Sequence, residues 1–175
     1  MKNYILSQGN NNTVTALSKT EVAKLYLSDT RTEIGAEARK MQFANTINDL
    51  VVQFIRLDFS EELQAELLVM ERLHLLDFRT AEREIRQLWL EVFEHKLLQL
   101  HKAGFVHRGL SRDLQRPSNV GGEKYDNIIL TTEGLRLIDV GISAIKSEVG
   151  DKIFGHYLEQ ELKELEVFKV YFMGR

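Results

Sequence analysis

The chain has 175 residues, 43% of them hydrophobic and 28% charged, with a formal charge of −3 and no cysteine. That composition suits an ordinary globular protein and excludes a largely disordered chain, a disulfide-stapled scaffold, thiolate metal sites and a cysteine nucleophile. A slight negative charge gives no general field for gripping a polyanion, so nucleic acid is not an expected partner.

The length predicts one compact unit and also accommodates two small lobes. With Pro117 as the single proline, there is no stiff linker. The start, MKNYILSQGNNN, has no apolar h-region, and nowhere do about 18 apolar residues run together. The expected location is therefore the cytoplasm, or delivery by a route without a classical signal, and no integral membrane segment is expected.

In chain order, residues 4 to 27 carry short apolar runs (YIL, TVTAL, VAKLYL) between polar turn-rich stretches, which predicts a meander of strands. From Thr32 to about Asn48, good helix formers place Ile34, Ala38, Met41 and either Ala44 or Ile47 on one face of a helix. LVVQFIRLDF (50 to 59) and ELLVME (66 to 71) predict two more strands. A long amphipathic helix follows from Ala81 to Ala103, with Ile85, Leu88, Trp89, Val92, Phe93, Leu97 and Leu100 at helical spacing and Gly104 as its stop. FVH, NIIL and LRLID are short strands, the last two joined by TTEG as a hairpin. A last helix spans Lys152 to Phe172, with Ile153, Tyr157, Leu158, Leu162, Leu165 and Phe168 along its apolar face.

This α+β order, a β-rich first part with one helix followed by a long helix and short strands bearing polar loops, resembles that of the protein-kinase-like superfamily, and short motifs agree with it. Gly9 lies five positions before Val14, as the second glycine of a GxGxxGxV loop lies before its valine, and Lys24 closes VAK as the strand lysine closes VAIK. Glu37 falls inside the first helix, LHKAGFVHRG resembles the approach to a kinase HRD, DNIIL its loop asparagine, and LIDVG the LIDFG that ends the set. The resemblance spans roughly residues 4 to 142. It implies a two-lobed fold, with residues 1–71 as a small antiparallel β lobe carrying one helix and 72–175 as a truncated, mainly helical lobe.

By the same resemblance, the cofactors are ATP and magnesium. Lys24 meets the nucleotide phosphates and is fixed by an ion pair to Glu37, with Glu33 as a spare carboxylate one turn earlier. Asp139 and an asparagine hold magnesium through hard oxygen donors. Gly9 and Val14 cover the nucleotide, and backbone groups from Met70 and Glu71 to Arg72 meet the adenine.

Two asparagines compete for the metal role. Asn119 is followed by Val-Gly-Gly and charge, whereas Asn127 runs into Ile128-Ile129-Leu130 and so leads into a strand; Asn127 is assigned. Gly109 stands where HRD has its aspartate, so the proton acceptor is open. Asp113, within RDL on an inserted loop, is the first candidate, Asp126 the second, and no base the third. The five histidines show no ligand spacing such as HExxH, and His107 reads as a packed structural residue.

Val140 replaces the phenylalanine of DFG, no APE-like sequence follows, and Ser143 and Ser147 are the only hydroxyls between 142 and 152, so control by phosphorylation there is not expected. The resemblance is to minimal kinases of bacterial effector or phage type. It implies a serine/threonine protein kinase with a protein substrate or partner. A pseudokinase that binds nucleotide or a partner protein, and a small-molecule or lipopolysaccharide-sugar kinase, stand as alternatives.

Overall fold

A computed structural model of the protein describes residues 4–8, 12–26, 33–77, 81–111 and 125–174. The strands β1 (Tyr4–Gln8), β2 (Asn12–Ala16) and β3 (Glu21–Tyr26) form the expected meander. The β2–β3 turn is closed by Ser18, whose Oγ accepts the N–H groups of Thr20 (3.1 Å) and Glu21 (3.0 Å). Helix α1 (Ile34–Asn45) follows, then β4 (Phe54–Ser60) and β5 (Ala65–Glu71). The five strands make one antiparallel sheet in the order β1-β2-β3-β5-β4.

Alternation along β3 decides what the sheet presents. Side chains two apart share a face, so Val22, Lys24 and Tyr26 point one way and Ala23 and Leu25 the other. Ala23 joins Leu67 and Val69 in a small outer cluster, while Val22 and Tyr26 join Leu68, Met70 and the buried face of α1 in the main core. On α1 that face is Ile34, Ala38, Met41 and Ala44, which settles the fourth position in favour of Ala44. It also includes Glu37, a carboxylate that needs a buried partner.

Residues 50–53, expected to open the next strand, do not belong to the sheet. Leu50, Val51 and Val52 are buried consecutively rather than alternately, and they bond to Leu137 instead: Val52 N–H to Leu137 O at 2.8 Å and Leu137 N–H to Leu50 O at 2.7 Å. The Asn45 amide holds this connection from the end of α1, donating to Val51 O (3.1 Å) and accepting from Phe54 N–H (2.9 Å).

Helix α2 (Arg83–Ala103) ends at Gly104 in the left-handed region, φ 91°, the conformation glycine adopts without strain. Next come β6 (Phe105–Val106), the hairpin β7 (Ile128–Thr131) and β8 (Gly134–Leu137), then β9 (Ala144–Ile145), which pairs with β6, a one-turn α3 (Lys146–Val149) and α4 (Asp151–Met173). LRLID therefore leaves the strand after Leu137, and β9 has no counterpart in the sequence reading.

Helices α2 and α4 run antiparallel, with Arg86 reaching Phe172 O (3.1 Å), Glu94 paired to Lys169 (3.1 Å) and His101 to Glu161 (2.8 Å). The expected apolar faces are rotated. On α2, Ile85, Leu88 and Val92 are exposed and Leu90 is buried; on α4, Phe154, Glu161, Leu165, Phe168 and Phe172 are buried while Ile153 and Leu162 are exposed. A core of Phe93, Tyr125, Phe168 and Phe172 rings closes this region. Among the described residues no helix is long and apolar enough to cross a membrane.

Candidate functional site

Two parts of the chain 115 residues apart meet on the α1 side of the sheet. Lys24 Nζ lies 2.9 Å from Glu37 Oε1, 3.0 Å from Oε2 and 2.9 Å from Asp139 Oδ1. The Lys24 and Glu37 side chains are only 8% and 2% exposed, whereas that of Asp139 is 54% exposed, so the cluster is closed at one end and open to solvent at the other.

Burial works against the charge on Lys24, yet Asp139 and Glu37 outweigh it and hold its pKa above the ordinary lysine value. Burial likewise opposes ionisation of Asp139, and Lys24 overrides it, keeping that carboxyl below its usual range. Lys24 and Asp139 are therefore both charged at neutral pH, and the ammonium lies between the Asp139 and Glu37 carboxyl groups.

The β7–β8 register explains how Asp139 arrives. Ile128 pairs with Leu137, so Asn127 and Ile138 lie just past the last pair at the same end of the hairpin, where Ile138 N–H donates to Asn127 O (3.0 Å). Asp139 then takes φ 58°, left-handed for a residue with a side chain, a conformation that persists only when the surroundings enforce it. The Asn127 Nδ2 donates to Gly109 O (3.0 Å), which leaves the side-chain oxygen as its acceptor.

Gly109 belongs to a loop fixed from three sides. His107 is fully buried; its Nε2–H donates to Ile138 O (2.8 Å) and its Nδ1 accepts the Gly109 N–H (3.2 Å), so the ring proton sits on Nε2. Glu161 of α4 accepts the His107 N–H at 3.1 Å on one oxygen and the Arg108 N–H on the other, with His101 Nε2 at 2.8 Å on the first. Arg108, at φ 66°, donates to Ile142 O (2.9 Å) and lies 3.7 Å above the Tyr157 ring. Lys40 of α1 donates to Gly141 O (2.7 Å) and Ser143 Oγ to His107 O (3.0 Å), so the stretch after Asp139 is pinned to both α1 and the loop. A Cβ on Gly109 would meet Asn127 Nδ2 at 3.1 Å, a contact the amide must yield to by a few tenths of an ångström.

The other expected site residues lie as follows. Val14 sits directly across from Lys24 in the sheet, partly buried, and Met70 is across from Val22 on the same face. The Glu71 carboxylate is engaged by Arg136 and by the Gln53 N–H (2.7 Å). The N–H groups of Glu71 and Arg72 donate to Gln53 O (3.0 Å) and Thr20 O (2.9 Å). Glu33 is the N-cap of α1 and its carbonyl accepts from Ala36 and Glu37. Gly9, Asp113 and Asn119 lie outside the described residues.

Sequence reasoning missed Tyr26, whose hydroxyl donates to Glu37 Oε2, and also Lys40 and Glu161. Tyr26 could have been found two residues after Lys24 on a strand, and Glu161 as the one carboxylate on an otherwise apolar helical face. Among the described residues, no three His, Asp or Glu side chains converge as a protein-only metal cage. A comparison with protein-family models finds no match, and a search of curated proteins finds no significant relative.

Proposed function

We propose that the protein is an ATP- and magnesium-dependent phosphotransferase of two-lobed, protein-kinase-like architecture, with residues 1–71 as the small β lobe and 72–175 as a reduced helical lobe. The observation that carries the reading is the convergence of three residues that the motif resemblance singles out, with Lys24 Nζ 2.9 Å from both Glu37 and Asp139. A buried strand lysine held by a helix carboxylate, beside a half-exposed aspartate, suits a site that receives an anion with its counter-cation.

When bound, magnesium and the nucleotide supply Lewis-acid charge neutralisation and the transferable phosphoryl group. One carboxylate and one amide oxygen, Asp139 and Asn127, form the sparse hard-donor set that leaves most positions of a magnesium ion to water and phosphate oxygens. Lys24 would turn from Asp139 toward the phosphates while staying on Glu37. Val14, Val22 and Met70 offer the apolar wall for a base, with backbone groups of the Met70 to Arg72 stretch meeting the adenine. Gly9 covers the phosphates, and Asp113 takes the proton of a serine or threonine hydroxyl on a protein acceptor.

The test is transfer from labelled ATP with magnesium, alone and in a lysate, beside Lys24→Met and Asp139→Asn. Transfer by the parent protein that is lost in both variants supports the reading; no transfer and no nucleotide binding sinks it. Gly109, standing beside Asn127 with no side chain, favours one second reading, a nucleotide-binding pseudokinase, which binding without transfer would select.

A further inference from the structure

Tyr26 touches both members of the buried ion pair. Being two residues from Lys24 on β3, it shares that face of the sheet. Its hydroxyl donates to Glu37 Oε2, and its ring centroid lies 5.4 Å from Lys24 Nζ. The side chain is buried, so the contact is shielded from water and from competing donors.

The charge balance shows why this contact matters. One ammonium serves two carboxyl groups, those of Glu37 and Asp139. When Lys24 also serves phosphate oxygens, its hold on Glu37 weakens, and Glu37, itself 2% exposed, has no water to replace the loss. The Tyr26 hydroxyl, buried and already donating to Glu37, is a donor that an incoming anion does not draw away. Burial, and after it the Glu37 charge, push the phenol's pKa up, so it remains a donor across the physiological range.

We propose that Tyr26 is a positioning residue of the nucleotide site: its hydroxyl keeps the Glu37 carboxyl group aimed at Lys24 while Lys24 turns to the phosphates. The proposal rests on the nucleotide-site reading above and extends it to a residue that neither motif nor spacing had assigned. It does not make Tyr26 a substrate contact.

The experiment is a double-mutant cycle on the dissociation constant for magnesium-ATP, using the full chain as wild type, Tyr26→Phe, Glu37→Gln and the double variant. Phenylalanine keeps the ring and its place over Lys24 and deletes only the hydroxyl. A lost hydrogen bond to a charged group predicts binding weakened about tenfold in Tyr26→Phe. Because Tyr26 acts through Glu37, the double variant is expected within about twofold of Glu37→Gln alone. A merely structural tyrosine gives independent effects that multiply, and that result overturns the proposal, as does unchanged affinity in Tyr26→Phe. Thermal melts of the nucleotide-free variants locate any folding defect; if Tyr26→Phe is less folded, affinities corrected for the folded fraction enter the cycle, and the same two outcomes decide. If wild type binds no magnesium-ATP, the nucleotide-site reading itself has failed, which is a different result from equal binding by wild type and Tyr26→Phe.

Discussion

Replacing Glu161 by glutamine keeps the size of the side chain and removes one acceptor. In the parent protein the two carboxylate oxygens receive two successive backbone N–H groups, those of His107 and Arg108, on separate atoms. An amide has one oxygen and one NH2, so in either orientation one of those N–H groups faces another donor inside a region where Glu161 is 1% exposed. A hydrogen bond to a charged group contributes about 1.5–3 kcal/mol, and a buried polar group left unsatisfied costs about 1–3 kcal/mol. Destabilisation of about 3 kcal/mol follows, which for a chain of this size lowers the melting midpoint by about 6–12 °C. Urea unfolding followed by circular dichroism measures it, with Glu159→Gln on the exposed face of α4 as a control that leaves the midpoint in place. A Glu161→Gln protein within about 0.5 kcal/mol of the parent at unchanged m-value would refute the idea that this carboxylate fixes the His107–Gly109 loop.

Three further outcomes are expected. Asp139 has its pKa held below its ordinary 3.8, so its contribution to stability is present above that value and lost as pH falls through the lower folded value; Lys24, raised above 10.5, contributes fully below that value and loses it as pH rises through the folded one. Stability from this pair is thus level between about pH 5 and 10, and Asp139→Asn flattens the acid limb below about pH 4 in urea titrations; an unchanged acid slope removes the pair from that role. Gly104→Ala forces a side chain into φ 91° with its Cβ 3.1 Å from that of Lys146, and is expected to lose about 1–2 kcal/mol in a thermal melt, whereas parental stability would show that α2 ends otherwise. Asp113→Asn is expected to cut kcat by about a hundredfold or more with the ATP dissociation constant held within about twofold, and Gly109→Asp in that background to recover part of the loss; equal kcat in Asp113→Asn and parent removes Asp113 as the base.

The parts of this structure that could be read from sequence are those set by local periodicity and by punctuation. The meander, α1, the long α2 and its stop at Gly104, and the β7–β8 hairpin all follow from patterns a few residues long. Residues 50–53 escaped because a run of apolar residues buried on every side looks like a buried strand, and only the pairing with Leu137, far along the chain, shows otherwise. The apolar faces of α2 and α4 were misplaced by about one position because buried polar residues, Arg86 and Glu161, sit on them, and a hydrophobic count skips such residues. β9 is two residues long and exists only through its pairing with β6.

At the site, motif resemblance points to Lys24, Glu37, Asn127 and Asp139, and the geometry puts Lys24 in direct contact with both Glu37 and Asp139. What motif resemblance could not supply was the support around them. The Lys40 to Gly141 O bond, the Glu161 clamp and the Tyr26 hydroxyl each join residues that no local pattern relates, and each satisfies a buried or half-buried polar group that the fold itself creates.

The claim that Lys24, Glu37 and Asp139 form a magnesium-nucleotide site is tested most directly by the dissociation constant for ATP with and without magnesium, in the parent protein and in Asp139→Asn. Magnesium is expected to tighten binding to the parent by at least about tenfold and to have no effect on the variant. ATP that fails to bind the parent, or a magnesium effect of the same size in Asp139→Asn, would contradict it.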